Sequence, residues 1–497
     1  MPVNTQRKDY ADLLPKWARL RDCFEGRDAV LAAASKYVPD LPGTDVAGNK
    51  AYRERGNFYN AVMRTVQGMT GSIFQKPPEV EFPEPFKEYL DDVTLTNVPF
   101  ETFAVDASRE TMLTGRFGVL VDMPSQKSQD MRPYLCGYRA EDIVNWRTES
   151  RGGDDVLTMV VLREVVEVPD EKDEFACKNA MQYRVVQLVE NTCVQQVWRA
   201  KADNASEFAP VEDPVVAMRR GVPLPFIPFV FLGATHATPE LEKPPLIDLA
   251  DVNLGHWRNS VDYEYGLHLI ALPTPWVAGS KATSADGKMK IGPSVVWELE
   301  VQGSAGMLEF TGSGLASLVT AMDEKKKQMA SLGARLIEDA PTTSETASAV
   351  RMRHSGEHAT LRTVAGAIEL GLTLVLQVVA WWAGSAEKPA DTEVGVELNK
   401  EYLNVRATPQ EVQVALTALQ AGEISYETWW HLLATGGWGR EGIDAAAERK
   451  AILEGQTLRP EPALDLEFTP PEEKPVVTPP EKVIRDGDGN VRYRITG

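Results

Sequence analysis

The chain has 497 residues, 43% apolar and 25% charged, which suggests about three domains and excludes disordered, collagen-like and disulfide-scaffold classes. Fifty-two basic residues against seventy-two acidic ones leave a net charge of −20. That sign opposes tight gripping of nucleic acid, which rests on cations at phosphates, and leaves open a surface past which nucleic acid slides; solubility alone also accounts for it.

Cysteines 23, 136, 177 and 193 form no CxxC and read as reduced thiols of a protein made in the cytoplasm. The opening MPVNTQRKDYADLL lacks the apolar run of a signal peptide. The longest apolar run, near Ile368–Ala383, carries Glu369 and Gln377. It falls short of about 20 residues, so no membrane span is expected.

Residues 1–75 read as helical, with Leu13, Trp17 and Leu20, then Val62, Val66 and Met69, at helical spacing. PPEVEFPEP at 77–85 breaks the pattern. A helix over 99–114 is followed by a turn into a buried strand at 115–122. Residues 156–200 contain LTMVVLREVVEV and YRVVQLVE, whose β-branched residues suggest antiparallel strands. Gly221–Ala234 is apolar, but its three prolines forbid one continuous helix. The first 245 residues therefore read as a mixed α+β domain.

From Leu246 to Leu272 one apolar stripe runs through Ala250, Leu254, Trp257, Val261, Tyr265, Leu269 and Leu272. It predicts a helix of about 40 Å, ended by Pro273 and Pro275. A strand-rich insert follows, then a second helix over Leu315–Ile337 with Leu315, Leu318, Met322, Met329, Leu332 and Leu336 on one face. Lys325, Lys326 and Lys327 interrupt that face. Three consecutive positions cover a wide arc, so at least one leaves the stripe. Glu338-Asp339-Ala340-Pro341 breaks the helix, and Thr342-Thr343-Ser344-Glu345 is a capping box for a third. That long helix carries a heptad-like run from Leu361 to Trp382, and a kink is expected near Gly356. Helices are predicted near 409–421, 426–434 and 441–453. The acidic segment 456–482 holds seven prolines and reads as a disordered tail, with a small hairpin at the end.

Motifs for chemistry are weak. His354-Ser-Gly-Glu-His358 has its glutamate misplaced for a zinc helix. Thr311-Gly-Ser-Gly314 lacks the third glycine of a dinucleotide turn. Asp486-Gly-Asp-Gly-Asn490 has valine where a calcium loop needs glycine. Neither GxxxxGK[ST] nor GxSxG occurs. No metal, cofactor or catalytic residue is assigned. Acids such as Asp122 could still assemble in space, so a multidomain hydrolase stays open, as does a scaffold of helical hairpins.

The segment order resembles the portal (head–tail connector) proteins of tailed bacteriophages. The resemblance rests on GRFGVLVDMP (115–124), RPYLCGYRAEDIVNW (132–146), LPFIPFVFLG (224–233), PPLIDLADVNLGHWRNSVDYE (244–264) and the helix–insert–helix–loop–long-helix run of 246–383. It covers roughly residues 10–455 and rests on order rather than on a short diagnostic motif. It implies an α+β, portal-like fold. The parts would be a wing at 1–245, stem helices at 246–272 and 313–337, a β-rich clip at 273–312 and a tunnel loop at 338–345. A long kinked helix and wing return would fill 346–400, and a helical crown 401–455, before the tail at 456–497.

The same resemblance implies a ring, usually dodecameric, at one capsid vertex of the virion, assembled in the host cytoplasm. Double-stranded DNA would pass through it non-specifically during packaging and ejection. Its implied partners are the terminase large subunit, head-completion or tail adaptor proteins, and the major capsid and scaffold proteins. The implied channel residues are Glu338, Asp339, Pro341, Thr342, Thr343 and Glu345 of the loop, with Lys325, Lys326 and Lys327 of the stem. Trp276, Val296 and Trp297 of the clip are expected to pack between subunits or against the terminase.

Overall fold

The computed structural model describes residues 2–124, 131–170, 173–201, 207–272, 274–280, 297, 299–308, 312–334, 347–384, 386–400, 402, 409–435, 438–439, 443–457, 482–485 and 491–495. They form two compact units, Met1–Tyr402 and Leu403–Gly497.

The first unit is α+β. It opens with helices α1 (Lys8–Glu25), α2 (Arg27–Ala32), α3 (Val46–Arg55) and α4 (Ala61–Ile73). Asp45 caps α3 by accepting from the Gly48 N–H, and Asn60 caps α4 by accepting from the Met63 N–H. Strand β1 (Glu79–Glu81) precedes helix α5 (Phe100–Thr114). That helix ends at Gly115, whose φ of 77° is the left-handed turn that glycine adopts without strain. The chain then enters β2 (Arg116–Asp122), a strand buried nearly throughout.

Strands β3 (Tyr134–Arg139), β4 (Ile143–Arg151), β5 (Asp154–Asp170), β6 (Asp173–Val189) and β7 (Thr192–Ala200) follow as antiparallel neighbours or hairpins. The short strands β8 (Phe208–Pro210), β9 (Val215–Val216), β10 (Met218–Arg219) and β11 (Val222–Pro223) lead to β12 (Phe229–Gly233). One sheet has the order β12-β2-β3. A larger one has the order β4-β5-β6-β7-β8, with β9 also on β7.

Helix α6 (Ile247–Ala271) leads through strands β13 (Thr274–Ser280) and β14 (Leu299–Leu308) to helix α7 (Leu315–Met329). A five-residue π-helical turn, Ala330–Ala334, continues α7 and breaks at Gly333, where φ is 124°. Helix α8 (Ala347–Ala383) includes Gly356. Strand β15 (Gly395–Glu397) pairs with β1.

Two cores organise this unit. In one, α8 lies across the β12-β2-β3 sheet, burying Leu361, Ala365, Ile368, Leu372, Val375, Leu376, Trp381 and Trp382 among Val119, Leu120 and Leu232. Its apolar stretch is longer than the sequence reading held: Leu361–Ala383 has the length and composition of a membrane span. Its burial against a sheet accounts for that apolarity. The other core gathers α1, α3 and α4 around the first half of α6, with Trp257 fully buried.

The second unit contains helices α9 (Pro409–Gln420), α10 (Tyr426–Thr435) and α11 (Ala445–Thr457) and the hairpin β16 (Lys482–Arg485) with β17 (Val491–Ile495). Buried Trp430 donates its indole N–H to the Ile443 carbonyl at 3.0 Å, tying α10 to the start of α11.

An ion cluster joins distant segments. Arg21 on α1 donates to Glu141 at 2.8 and 3.0 Å and to Glu110 on α5 at 2.9 Å. Burial alone would raise Glu141, but the Arg21 hydrogen bonds and charge hold its carboxyl below the usual range. The cluster is half-buried, so removing one partner strips charge-assisted hydrogen bonds from partly desolvated carboxylates. Arg21→Met is therefore expected to cost about 1.5–3 kcal/mol, read as a lower urea midpoint. An unchanged midpoint would show the cluster to be dispensable.

Candidate functional site

The site with most to explain is the α6–α7 hairpin and the β-ribbon at its end. Helices α6 and α7 are antiparallel. Ile270 abuts Gly312 at one end, and the Lys325 side chain lies on Gly255 at the other. Between them, β13 and β14 pair from Thr274↔Leu308 to Ala278↔Ser304.

Along α6 the environment changes. Leu249, Ala250, Leu254, Trp257 and Val261 are buried. Tyr265 is half-buried. Leu269 is 38% exposed and Leu272 61% exposed, although both continue the same stripe. Leu267, Ile270, Trp276, Met307 and Leu308 are exposed beside them. On α7 the predicted face differs: at the distal end Leu315, Leu318 and Met322 are half-buried, and at the proximal end Met329 is buried while Leu332 in the π-helical turn is exposed. The sequence reading treated both stripes as uniform. The structure corrects this, because only their proximal ends meet the α1–α4 helices.

Polar residues that periodicity did not single out fix that proximal end. Asn253, fully buried, accepts from the Ala61 N–H at 3.1 Å and donates to the Tyr59 carbonyl at 2.8 Å. Ser260 accepts from the Asn57 N–H at 2.9 Å. Gly56 is required there, since a β-carbon would stand 2.3 Å from Val261 Cγ2. The available signal was two polar residues seven apart on an otherwise apolar face.

The basic run fans out. Lys325 packs its stem on Gly255. Lys326 pairs with Asp323 at 3.6 Å, both exposed. Lys327 edges a shallow groove with Val252, Gln328 and Leu332. Buried against this run is His256, with neither ring nitrogen hydrogen-bonded and its ring 6.0 Å from that of Tyr59. Burial, then Lys326 and Lys325, push its pKa down to about 4, with Asp323 opposing.

Other expected residues are less connected. Trp276 is exposed, and Trp297 is half-buried with an interaction of its own. Val296 and the loop residues Glu338, Asp339, Pro341, Thr342, Thr343 and Glu345 lie outside the described residues. So do Thr311, the whole Asp486–Asn490 motif and the side chains of His354 and His358, while Gly312–Gly314 are described.

The acids of the two larger sheets do meet in space. Asp122 accepts from the Met123 N–H at 2.9 Å and from Gln195 at 3.0 Å, with Arg184 at 3.6 Å. Glu164 accepts from Arg184 and Tyr138 at 2.7 Å and from Gln182 at 2.6 Å. Burial raises the Asp122 carboxyl. Burial would raise Glu164 too, but the Arg184 charge brings it below its usual value. Both carboxylates are spent on partners inside a sheet-to-sheet contact. Among the described residues no group of three His, Cys, Asp or Glu could hold a metal.

A family model described as a domain of unknown function (DUF4055) matches residues 245–383, the span from α6 to the end of α8. No curated protein matches the chain. Solved structures similar to it include chains described as "Neck of native GTA particle computed with C12 symmetry" (12% identity, TM-score 0.38) and "Neck of empty GTA particle computed with C6 symmetry" (13% identity, TM-score 0.37). Each alignment covers 82% of this chain, with 99% and 98% of the respective neck chains. Overlaps at these TM-scores carry no functional argument.

Two outcomes are expected here. Asn253→Ala removes both side-chain bonds and leaves the Ala61 N–H and the Tyr59 carbonyl only each other, at 2.8 Å, at a cost of about 0.5–1.5 kcal/mol; chemical denaturation yielding an unchanged stability would refute the lock. His256 takes its proton near pH 6.5 when unfolded but near 4 when folded. Protons therefore bind the unfolded chain first, so its stabilising share is full above pH 6.5 and is lost as pH falls toward 4. The fall in Tm from pH 7 to pH 5 should be smaller in His256→Leu than in wild type; equal falls would contradict this.

Proposed function

We propose that the chain is the subunit of a portal ring, the head–tail connector of a tailed phage or phage-like particle. One observation carries the reading: the apolar stripe of α6 is locked into the protein at its proximal end and bare at its distal end, where Leu272, Trp276 and Leu308 are also exposed. Contiguous exposed apolar surface marks an interaction site. A helical hairpin that bares such surface only at its far end fits a stem completed by identical neighbours, joined by heterologous contacts that close into a ring.

In this reading α6 and α7 are stem helices, and the β13–β14 ribbon is the clip that docks the terminase large subunit and later the head-completion or tail adaptor proteins. Residues 1–245 with α8 form the wing, which faces the capsid and scaffold proteins. Helices α9 to α11 form the crown. Lys325–Lys327 and the 338–345 loop line the channel, and the overall acidity keeps the duplex from sticking while it passes. Sequence-neutral passage needs no contact with base edges. The work is mechanical rather than catalytic, and the saturated Asp122 and Glu164 carboxylates suit that division. The protein resides in the virion, at one capsid vertex.

Native mass measurement and negative-stain imaging of the purified chain, without nucleotide, test the reading. The expected particle is a closed ring near twelve times 54.8 kDa. A monomer at every salt and protein concentration would overturn it.

A further inference from the structure

The β5–β6 hairpin outruns its sheet. Strand β4 pairs with β5 only as far as Leu162, and β7 pairs with β6 only from Gln182 onward. Beyond those points Val165–Pro169 and Cys177–Met181 pair only with each other. A lone two-stranded ribbon is at best marginally stable in water. Val165 stands opposite Met181, and Pro169 opposite Cys177. That face, with Glu167 and Asn179 between them, is the more exposed one of the arm. Phe175 lies two residues before Cys177, beyond a register shift at Pro169/Asp170. Val165 is 62% exposed, and Phe175 is 90% exposed. The Phe175 N–H donates to Asp173 Oδ1 at 3.0 Å.

Elsewhere on the same unit an apolar groove of about 620 Å³ lies between the β12 approach and α8. Phe226, Phe229, Leu374, Val378, Trp381 and Pro389 wall it, and Asp155, Glu387 and Lys388 edge it. Leu157 near the start of β5 also borders this groove, while Pro169 lies twelve residues further along the same strand. At roughly 3.3 Å per residue that is about 40 Å, so an arm cannot fill the groove of its own chain.

We infer that the groove receives the Phe175 tip of the β5–β6 arm from a second copy of the chain. The inference rests on the ring reading. Each chain offers one apolar protrusion and one apolar recess at opposite ends of one strand, the pairing a heterologous, ring-closing contact needs. Asp173 at the tip is opposite in charge to Lys388 at the rim. It is like in charge to Asp155 and Glu387, so apolar burial rather than charge drives the contact.

Native Cys177 supplies the test, because it is exposed on the arm face beside Phe175, whereas Cys23 and Cys193 are buried and Cys136 half-buried. In full-length Ala390→Cys, with the new thiol at the groove wall, a short bis-maleimide should give a denaturing-gel ladder that ends at the closed ring. Wild type and the Ala390→Cys/Cys177→Ser double variant should give none. Phe175→Ser, at a solvent-facing site, should leave the far-UV circular dichroism unchanged. It should raise the concentration for half-assembly about 10- to 100-fold, the equivalent of one buried aromatic side chain. Intact rings with no ladder, or with an unshifted midpoint in Phe175→Ser, overturn the inference and leave the ring reading standing. A wild type that never assembles overturns both.

Discussion

One helix has to satisfy two solvents. The stripe on α6 is continuous, yet Trp257 is sealed among the α1–α4 helices while Leu272, fifteen residues on, faces water. Apolar area left in water is unfavourable at roughly 25 cal/mol per Å², and the distal ends of α6, α7, β13 and β14 carry it together. The proximal lock, made by Asn253, Ser260 and the Gly56–Val261 contact, holds the hairpin in place without covering that surface. Neighbouring copies supply the cover in the proposed ring, so fold and assembly become one problem.

The sheets and the α1–α5 helices follow a different logic. Their charges are turned inward and paired: Arg184 bridges Glu164 and Asp122, and Arg21 bridges Glu110 and Glu141. Such ion clusters add little net stability but make partial disassembly costly. They tie sheet to sheet and helix to helix. Helix α8 completes the first unit as a core element that is apolar because it is covered, not because it meets lipid.

Much of this was legible from periodicity. The α6, α8 and α9–α11 helices and the long β5–β6–β7 strands lie where spacing and β-branched runs place them, because those signals are local. What covers a stripe is not local. Leu254 and Leu269 read alike, yet only the first meets α1–α4. Partners separated by 89 and 120 residues, such as Arg21 with Glu110 and Glu141, leave no spacing to read. Asn253, which the periodicity passes over, is the anchor of the stripe. The break at Gly333, where φ is positive and an added β-carbon would stand 3.3 Å from the Met69 side chain of α4, was not legible. Of the candidate site, the wide arc of Lys325–Lys327 was legible, and the buried His256 beside it was not.

Hydrogen–deuterium exchange across the assembly transition addresses the central claim most directly. Amides of residues 262–272 and 315–322 should exchange at least about tenfold more slowly in the ring than in dilute unassembled chain, while amides of 247–257 change little, because added burial raises the local opening free energy only where a neighbour lands. Equal exchange of the distal segments in both states would mean that no neighbour covers them, and the account of α6 as a stem helix would fail.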